Sequence, residues 1–160
     1  MTTWREARAR LGRNDLPGAL VDVWATLTVE DLRKAVAETW TAAEWPERNI
    51  DADGWLMLFD ECGYMVDGEP ADRDALPEVV TLYRGSTLDR RAGMSWTDDL
   101  ATARWFAGRF TGTRMDTGTS VWRIEVPSTY VLARFVEGRG ESEYVVDTSD
   151  FEPDEYEVHE

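Results

Sequence analysis

Two periods of hydrophobic spacing divide the chain. Up to about residue 63 apolar side chains recur every three to four positions, as on one face of a helix; from residue 79 they alternate or cluster in short runs, as in strands. The clearest helical pattern is TVEDLRKAVAETWTAAEW. Leu32, Ala35, Val36, Trp40 and Ala43 fall on one stripe, Thr28 with Asp31 three residues on is close to a capping box, and Pro46 ends the run. A preceding helix is predicted over LPGALVDVWATL. A third is predicted over DADGWLMLFDECG, with Asp51 or Asp53 as cap, Trp55, Leu58, Phe59 and Cys62 on its apolar stripe and Gly63 as its stop.

The polar, proline-bearing stretch GEPADRDALP (68–77) reads as a connector. Beyond it VVTLY (79–83) predicts a strand. SWTDDLATARWFAGRF predicts a loop opening into a helix, with Thr97 or Asp98 as cap, two aspartates in the first turn, and Leu100, Ala103, Phe106, Ala107 and Phe110 turned inward. SVWRIEVP alternates Trp122, Ile124 and Val126 against Val121, Arg123 and Glu125, and YVLARFV and EYVVD give two more strands. The expected fold class is α+β: helices first, then a small, mainly antiparallel sheet with one inserted helix. The expected division is a helical region over 1–78 that belongs to the same compact unit, a core over 79–150, and an acidic tail over 151–160.

Composition supports a folded chain, with 160 residues, 42% hydrophobic residues and eight tryptophans. Charge narrows the partners. A net charge of -15 argues against a surface that neutralises phosphates, so neither nucleic acid nor an anionic membrane is expected. Acid gathers at the end, in DFEPDEYEVHE, where such runs are usually solvated tails and otherwise interaction tails or decoys for a basic partner.

One cysteine, Cys62, and one histidine, His159, remove an internal disulfide, a cysteine zinc site, Ser-His-Asp hydrolysis and Cys-His catalysis; no metal is expected. No apolar run approaches the roughly 20 residues that span a bilayer, and MTTWREARARLGR lacks the apolar stretch of a signal peptide, so a cytoplasmic location is expected.

Chemistry must then come from carboxylates, arginines and hydroxyls. Arg84 follows the apolar run in TLYRGS, where a guanidinium can hold a phosphate bidentately while Gly85 lets a ligand approach the backbone; alone, it reads equally as a surface arginine before a turn. Ser95 and Thr97 lie on one side of an extended stretch with Trp96 between them. Thr97 is also suited to cap the next helix, and Trp96 to a core position. Glu141 and Glu143, in GRGESEYVVD, share one side of an extended chain roughly 7 Å apart. Such a pair is either an exposed acidic edge or, as in glycosyl transfer, one group that stabilises a cationic sugar transition state and one that accepts a proton. Gly138 and Gly140 favour a loop that delivers them.

In order and context these residues resemble the arginine–serine–glutamate class of mono-ADP-ribosyltransferases, over residues 79–147. In that family an arginine ends the first core strand, as in LYRG. A Ser-Thr-Ser motif ends the next before a helix with a late Phe-Ala, similar to SWTDDLATARWFA with Trp96 for the central threonine. A Glu-x-Glu motif starts a late apolar strand, as in ESEYVVD. The resemblance implies NAD as co-substrate, with Arg84 on a phosphate, the Gly85 backbone on the nicotinamide amide, and Ser95 and Thr97 bracing the glutamate and ribose, beside Trp96. It implies Glu143 as the stabiliser of the ribosyl cation and Glu141 as the activator of the acceptor, a protein side chain, with arginine the target that a glutamate there accompanies. GRFTGTRMDTGTS would form the loop over nicotinamide. The lack of an active-site histidine excludes the histidine–tyrosine–glutamate class. Two other functions stay open: an NAD glycohydrolase, with water as acceptor, and a non-catalytic acidic protein that engages a basic partner or mimics nucleic acid.

Overall fold

The change of period corresponds to a physical division. In the computed structural model, which describes residues 3–43, 46–109, 118–137 and 142–159, Met1–Ala71 and Asp72–Glu160 form two separate units. The fold class is α+β as expected, but the helical region ends at residue 71 instead of 78 and is a unit of its own. Asp72 belongs to the second unit because its side chain starts a 3-10 turn, Arg73–Ala75, from which Arg73 Nε donates to the Val131 carbonyl at 3.1 Å.

The first unit is built from helices α1 (Trp4–Arg8), α2 (Leu16–Val23), α3 (Val29–Ala42), α4 (Pro46–Asn49) and α5 (Ala52–Cys62). Local chemistry fixes their starts. The Thr28 hydroxyl accepts from the Asp31 amide and the Asp51 carboxylate from the Gly54 amide, each satisfying a donor that a first turn leaves open. Gly63, at φ +68°, ends α5. The predicted stripes are buried: Leu32, Ala35, Val36 and Trp40 on α3, and Trp55, Leu58, Phe59 and Cys62 on α5. Trp40 stands edge-on to Trp55 (5.0 Å) and to Phe59 (5.5 Å), and the Trp55 indole donates to the Pro46 carbonyl. Each such ring pair adds about 1 kcal/mol beyond its buried area. Burial pushes the Cys62 thiol up to about 12, so it is a small core residue and not a nucleophile.

The connector 68–77 is partly structured. Strands β1 (Met65–Val66) and β2 (Glu69–Pro70) pair antiparallel across Asp67 and Gly68, both at positive φ. An Asp-Gly pair at the centre of a two-residue hairpin is the sequence signal for this turn.

In the second unit, strands β3 (Val79–Thr87), β4 (Ser95–Thr97), β5 (Thr119–Pro127), β6 (Val131–Phe135), β7 (Glu143–Val146) and β8 (Asp154–His159) take the order β6-β7-β4-β3-β5-β8, all neighbours antiparallel. Helix α6 (Leu100–Arg109) lies between β4 and β5 in sequence and buries Ala103 and Ala107 against Val121, with Tyr83 and Leu100 beside them; Phe106 is half-buried and Phe110 lies outside the described residues.

Three expectations are corrected here. Strand β3 does not end at residue 83 or at Arg84. It continues to Thr87 because each residue from Val79 onward has a partner on β5, from Val79 opposite Pro127 to Thr87 opposite Thr119. The two aspartates precede α6 and do not occupy its first turn: Thr97 accepts from the Asp99 amide, and Asp99 accepts from the Ala101 amide and the Thr102 hydroxyl. The expected tail over 151–160 contains β8, since its acids find donors. Glu155 accepts from the Ser120 hydroxyl, Glu157 accepts twice from Arg104, and Tyr156 packs edge-on to Tyr83 at 5.3 Å. Hydrogen bonding to Glu157 raises the Arg104 pKa.

Candidate active site

Ser95 is where the separate sequence motifs meet. It opens β4, whose Thr97 lies opposite Tyr83 of β3 on one side and opposite Glu143 of β7 on the other. Residues opposite one another in a ladder share a face, and so do residues two apart in a strand. Ser95, Thr97 and Glu143 therefore share the face of Tyr83, which α6 covers in part. On that face the Ser95 hydroxyl donates to Glu143 Oε2 at 2.5 Å, a short bond of the charge-assisted kind. The contact joins residues 48 positions apart in sequence.

Arg84 reaches Ser95 by another route. Alternation along β3 sends its side chain to the side opposite Tyr83 and Gly85, and its Nη1 donates to the Ser95 carbonyl at 2.8 Å while Nε donates to the Arg90 carbonyl at 3.0 Å. Gly93 makes room for it: a Cβ there would lie 2.3 Å from Arg84 Nη2. The guanidinium thus braces the loop between β3 and β4, fixing the backbone of the residue whose hydroxyl holds Glu143. The same loop is tied by Thr148, whose hydroxyl donates to the Ala92 carbonyl, and by Thr87, whose hydroxyl holds the Asp89 carboxyl below its usual range.

Three of the residues expected to bind co-substrate have other duties. Trp96 is buried and donates its indole N–H to the Gly93 carbonyl at 2.7 Å; it is a core residue, not a stacking platform, because Ser95 and Thr97 on either side of it take the α6 face. Gly85 is required by close approach, but of α6 and not of a ligand on that face: a Cβ would lie 2.1 Å from the Ala103 carbonyl oxygen and 2.4 Å from the Ala107 nitrogen. Thr97 is buried, its hydroxyl accepting from the Asp99 amide at 3.1 Å, so it holds the turn before α6, and Asp99, not Thr97 or Asp98, takes the cap position by accepting from the Ala101 amide. Glu141, Gly138, Gly140 and most of the stretch 108–120 fall outside the described residues.

Sequence reading passed over Gly93, the residue that lets Arg84 lie flat against the loop. The only signal was its position two residues before Ser95, which periodicity does not interpret. Among the described residues no group of three His, Cys, Asp or Glu side chains is placed to hold a metal ion. No helix is long and apolar enough to cross a membrane among the described residues. Compared with known protein families, with curated proteins and with solved structures, the chain matches none. The chemistry of the site is therefore carried by its own geometry: a carboxylate whose orientation is set by a hydroxyl, on a strand whose backbone is braced by a guanidinium.

Proposed function

We propose that the chain is an NAD-dependent mono-ADP-ribosyltransferase that moves ADP-ribose from NAD to a protein side chain, with arginine as acceptor, and releases nicotinamide. The observation that supports this reading is the 2.5 Å bond from Ser95 Oγ to Glu143 Oε2, which joins two of the three motifs of the resemblance. Arg84, the third motif, contacts the Ser95 carbonyl from the opposite side of the sheet, so it supports the position of Ser95 and not a shared face with Glu143.

In this reading Glu143 faces the positive charge that grows on the ribose as the C1′–N bond breaks and its electron pair leaves with neutral nicotinamide. A fixed carboxylate is worth most when that charge is fully developed, so its effect is on the transition state and not on NAD binding. Ser95 prevents the carboxylate from turning away and removes the cost of reorienting it. The acceptor nitrogen then bonds to C1′ and gives up a proton, the step assigned to Glu141.

Incubation of the full chain with NAD labelled in the adenylate, together with candidate basic proteins, tests the proposal. The expected result is released nicotinamide and label on protein. Free ADP-ribose without labelled protein identifies water as the acceptor and the chain as a glycohydrolase. No nicotinamide release, with no rise in melting temperature on adding NAD, overturns the enzymatic reading in favour of an acidic binding protein.

A further inference from the structure

Glu143 is the first residue of β7, where its opposite number on β6 is Phe135. The first residue of a strand is where a ladder frays, so a carboxylate that must be held still is poorly placed there. A second set of contacts, on the other face of the sheet, addresses this. Arg134 lies opposite Tyr144, one position along from the Phe135–Glu143 pair. Its guanidinium carbon sits 4.1 Å from the centre of the Tyr144 ring, and its Nη2 donates to the Ser142 hydroxyl at 2.6 Å. Ser142 immediately precedes Glu143. Tyr144, buried to 5% exposure, donates in turn to Asp98 Oδ2 at 3.1 Å, next to Thr97 on the adjoining strand.

We infer that Arg134 is a positioning residue for Glu143. Stacked on Tyr144 and bonded to Ser142, it extends the β6–β7 pairing by one side-chain contact past the end of the ladder. Glu143 is then fixed on both flanks, with Tyr144 anchored behind it and Ser142 anchored ahead. Among the described residues the buried Arg134 Nε–H has no acceptor, an unfavourable state that the stack and the Ser142 bond must outweigh. Lysine cannot replace it, since an ammonium cannot both lie flat on the ring and reach Ser142. The catalytic consequence rests on the function proposed above; the geometric one does not.

The test uses the full chain and the variants Ser142→Ala, Ser142→Thr and Arg134→Lys. Two quantities are read: the Ser95 Oγ to Glu143 Oε2 separation in their crystal structures, and kcat and KM for nicotinamide release, with melting temperature followed alongside. Ser142→Ala and Arg134→Lys are expected to open the separation past hydrogen-bonding range and to lower kcat about tenfold at unchanged KM, while Ser142→Thr restores both. A purely structural role would lower the melting temperature and leave kcat per folded molecule as it was. The inference is overturned if both variants keep the short bond and the native kcat. Should the native chain release no nicotinamide, the proposed function fails, and the separation alone still decides whether Arg134 positions Glu143.

Discussion

The two units bury different things. Among the described residues of the helical unit the buried side chains are apolar except for Thr39, whose hydroxyl donates to the Ala35 carbonyl one turn back. In the sheet unit Ser86, Thr87, Thr97, Thr119, Ser120 and Thr148 are all buried. An unbonded buried hydroxyl costs about 1–3 kcal/mol, so a fold gains nothing from such residues unless their bonds hold something in place. Three of them hold the surroundings of Ser95, Thr87 the start of the β3–β4 loop, Thr148 its later part and Thr97 the turn into α6, while Ser120 holds Glu155 of β8. The described interior of the first unit is packed from apolar side chains with one bonded hydroxyl, whereas that of the second also fixes polar groups around a carboxylate.

The largest effect expected from this difference is chemical. Glu143→Gln keeps size and an oxygen that can accept from Ser95 but removes the charge. Nicotinamide release should fall by about a hundred- to a thousandfold while the melting temperature hardly moves. No substitution in the first unit should separate activity from stability in this way. If the proposed activity holds, a Glu143→Gln variant that cleaves NAD at the native rate would remove the chemical half of the comparison.

A pair of glycines tests the packing half. At Gly85 an added Cβ meets the backbone of α6 at Ala103 and Ala107, so the helix itself must move, and Gly85→Ala should cost about 3 kcal/mol or more. At Gly54, in α5, the Cβ meets side chains, Ile50 Cγ2 at 2.7 Å and Asp51 Oδ1 at 3.0 Å. Ile50 is buried and Asp51 caps α5 through the Gly54 amide, so displacing them outweighs the better helix propensity of alanine, and Gly54→Ala should cost about 1–2 kcal/mol, less than Gly85→Ala. Urea unfolding of the two variants measures the difference, and equal costs would show that the helix-on-sheet contact at Gly85 can open without loss.

The same contrast explains which parts of the fold were legible in the sequence. The helices of the first unit could be read from periodicity because each buries one stripe, and the caps Thr28 and Asp51 lie where their side chains act. The hairpin at Asp67–Gly68 was missed, because the polar residues around its Asp-Gly pair read as a connector. In the second unit β3, β5, β6 and β7 were found, but β4 read as a loop, the end of β3 was misplaced and β8 was missed, since strands there depend on partners distant in sequence: β3 runs on because β5 accompanies it, and β8 pairs with β5 while Arg104 and Ser120 donate to its acids. Ser95 and Glu143 could be picked out by motif order, and the bond between them is a property of the fold. The local duties of Trp96 and Gly85 were hidden for the same reason. Which face of a three-residue strand a side chain takes depends on register, and register is not written in so short a segment.

The smallest expected effect compares one residue type in the two settings. Thr28 and Thr97 each accept a backbone amide at the start of a helix, from Asp31 at 3.2 Å and from Asp99 at 3.1 Å. Replacing either by alanine removes that acceptor and should cost about 1 kcal/mol. Thr28 has no other side-chain hydrogen bond among the described residues, so Thr28→Ala should lower the melting temperature and leave kcat for nicotinamide release unchanged. Thr97 also lies opposite Glu143 in the ladder, and its turn leads to Asp98, the acceptor of the Tyr144 hydroxyl. Loosening that turn shifts the strand that carries Ser95. Thr97→Ala should therefore lose a few-fold in kcat on top of a stability cost like that of Thr28→Ala. Equal kcat in the two variants would mean that the buried hydroxyl at Thr97 only holds that turn, and that fixing Glu143 does not depend on it.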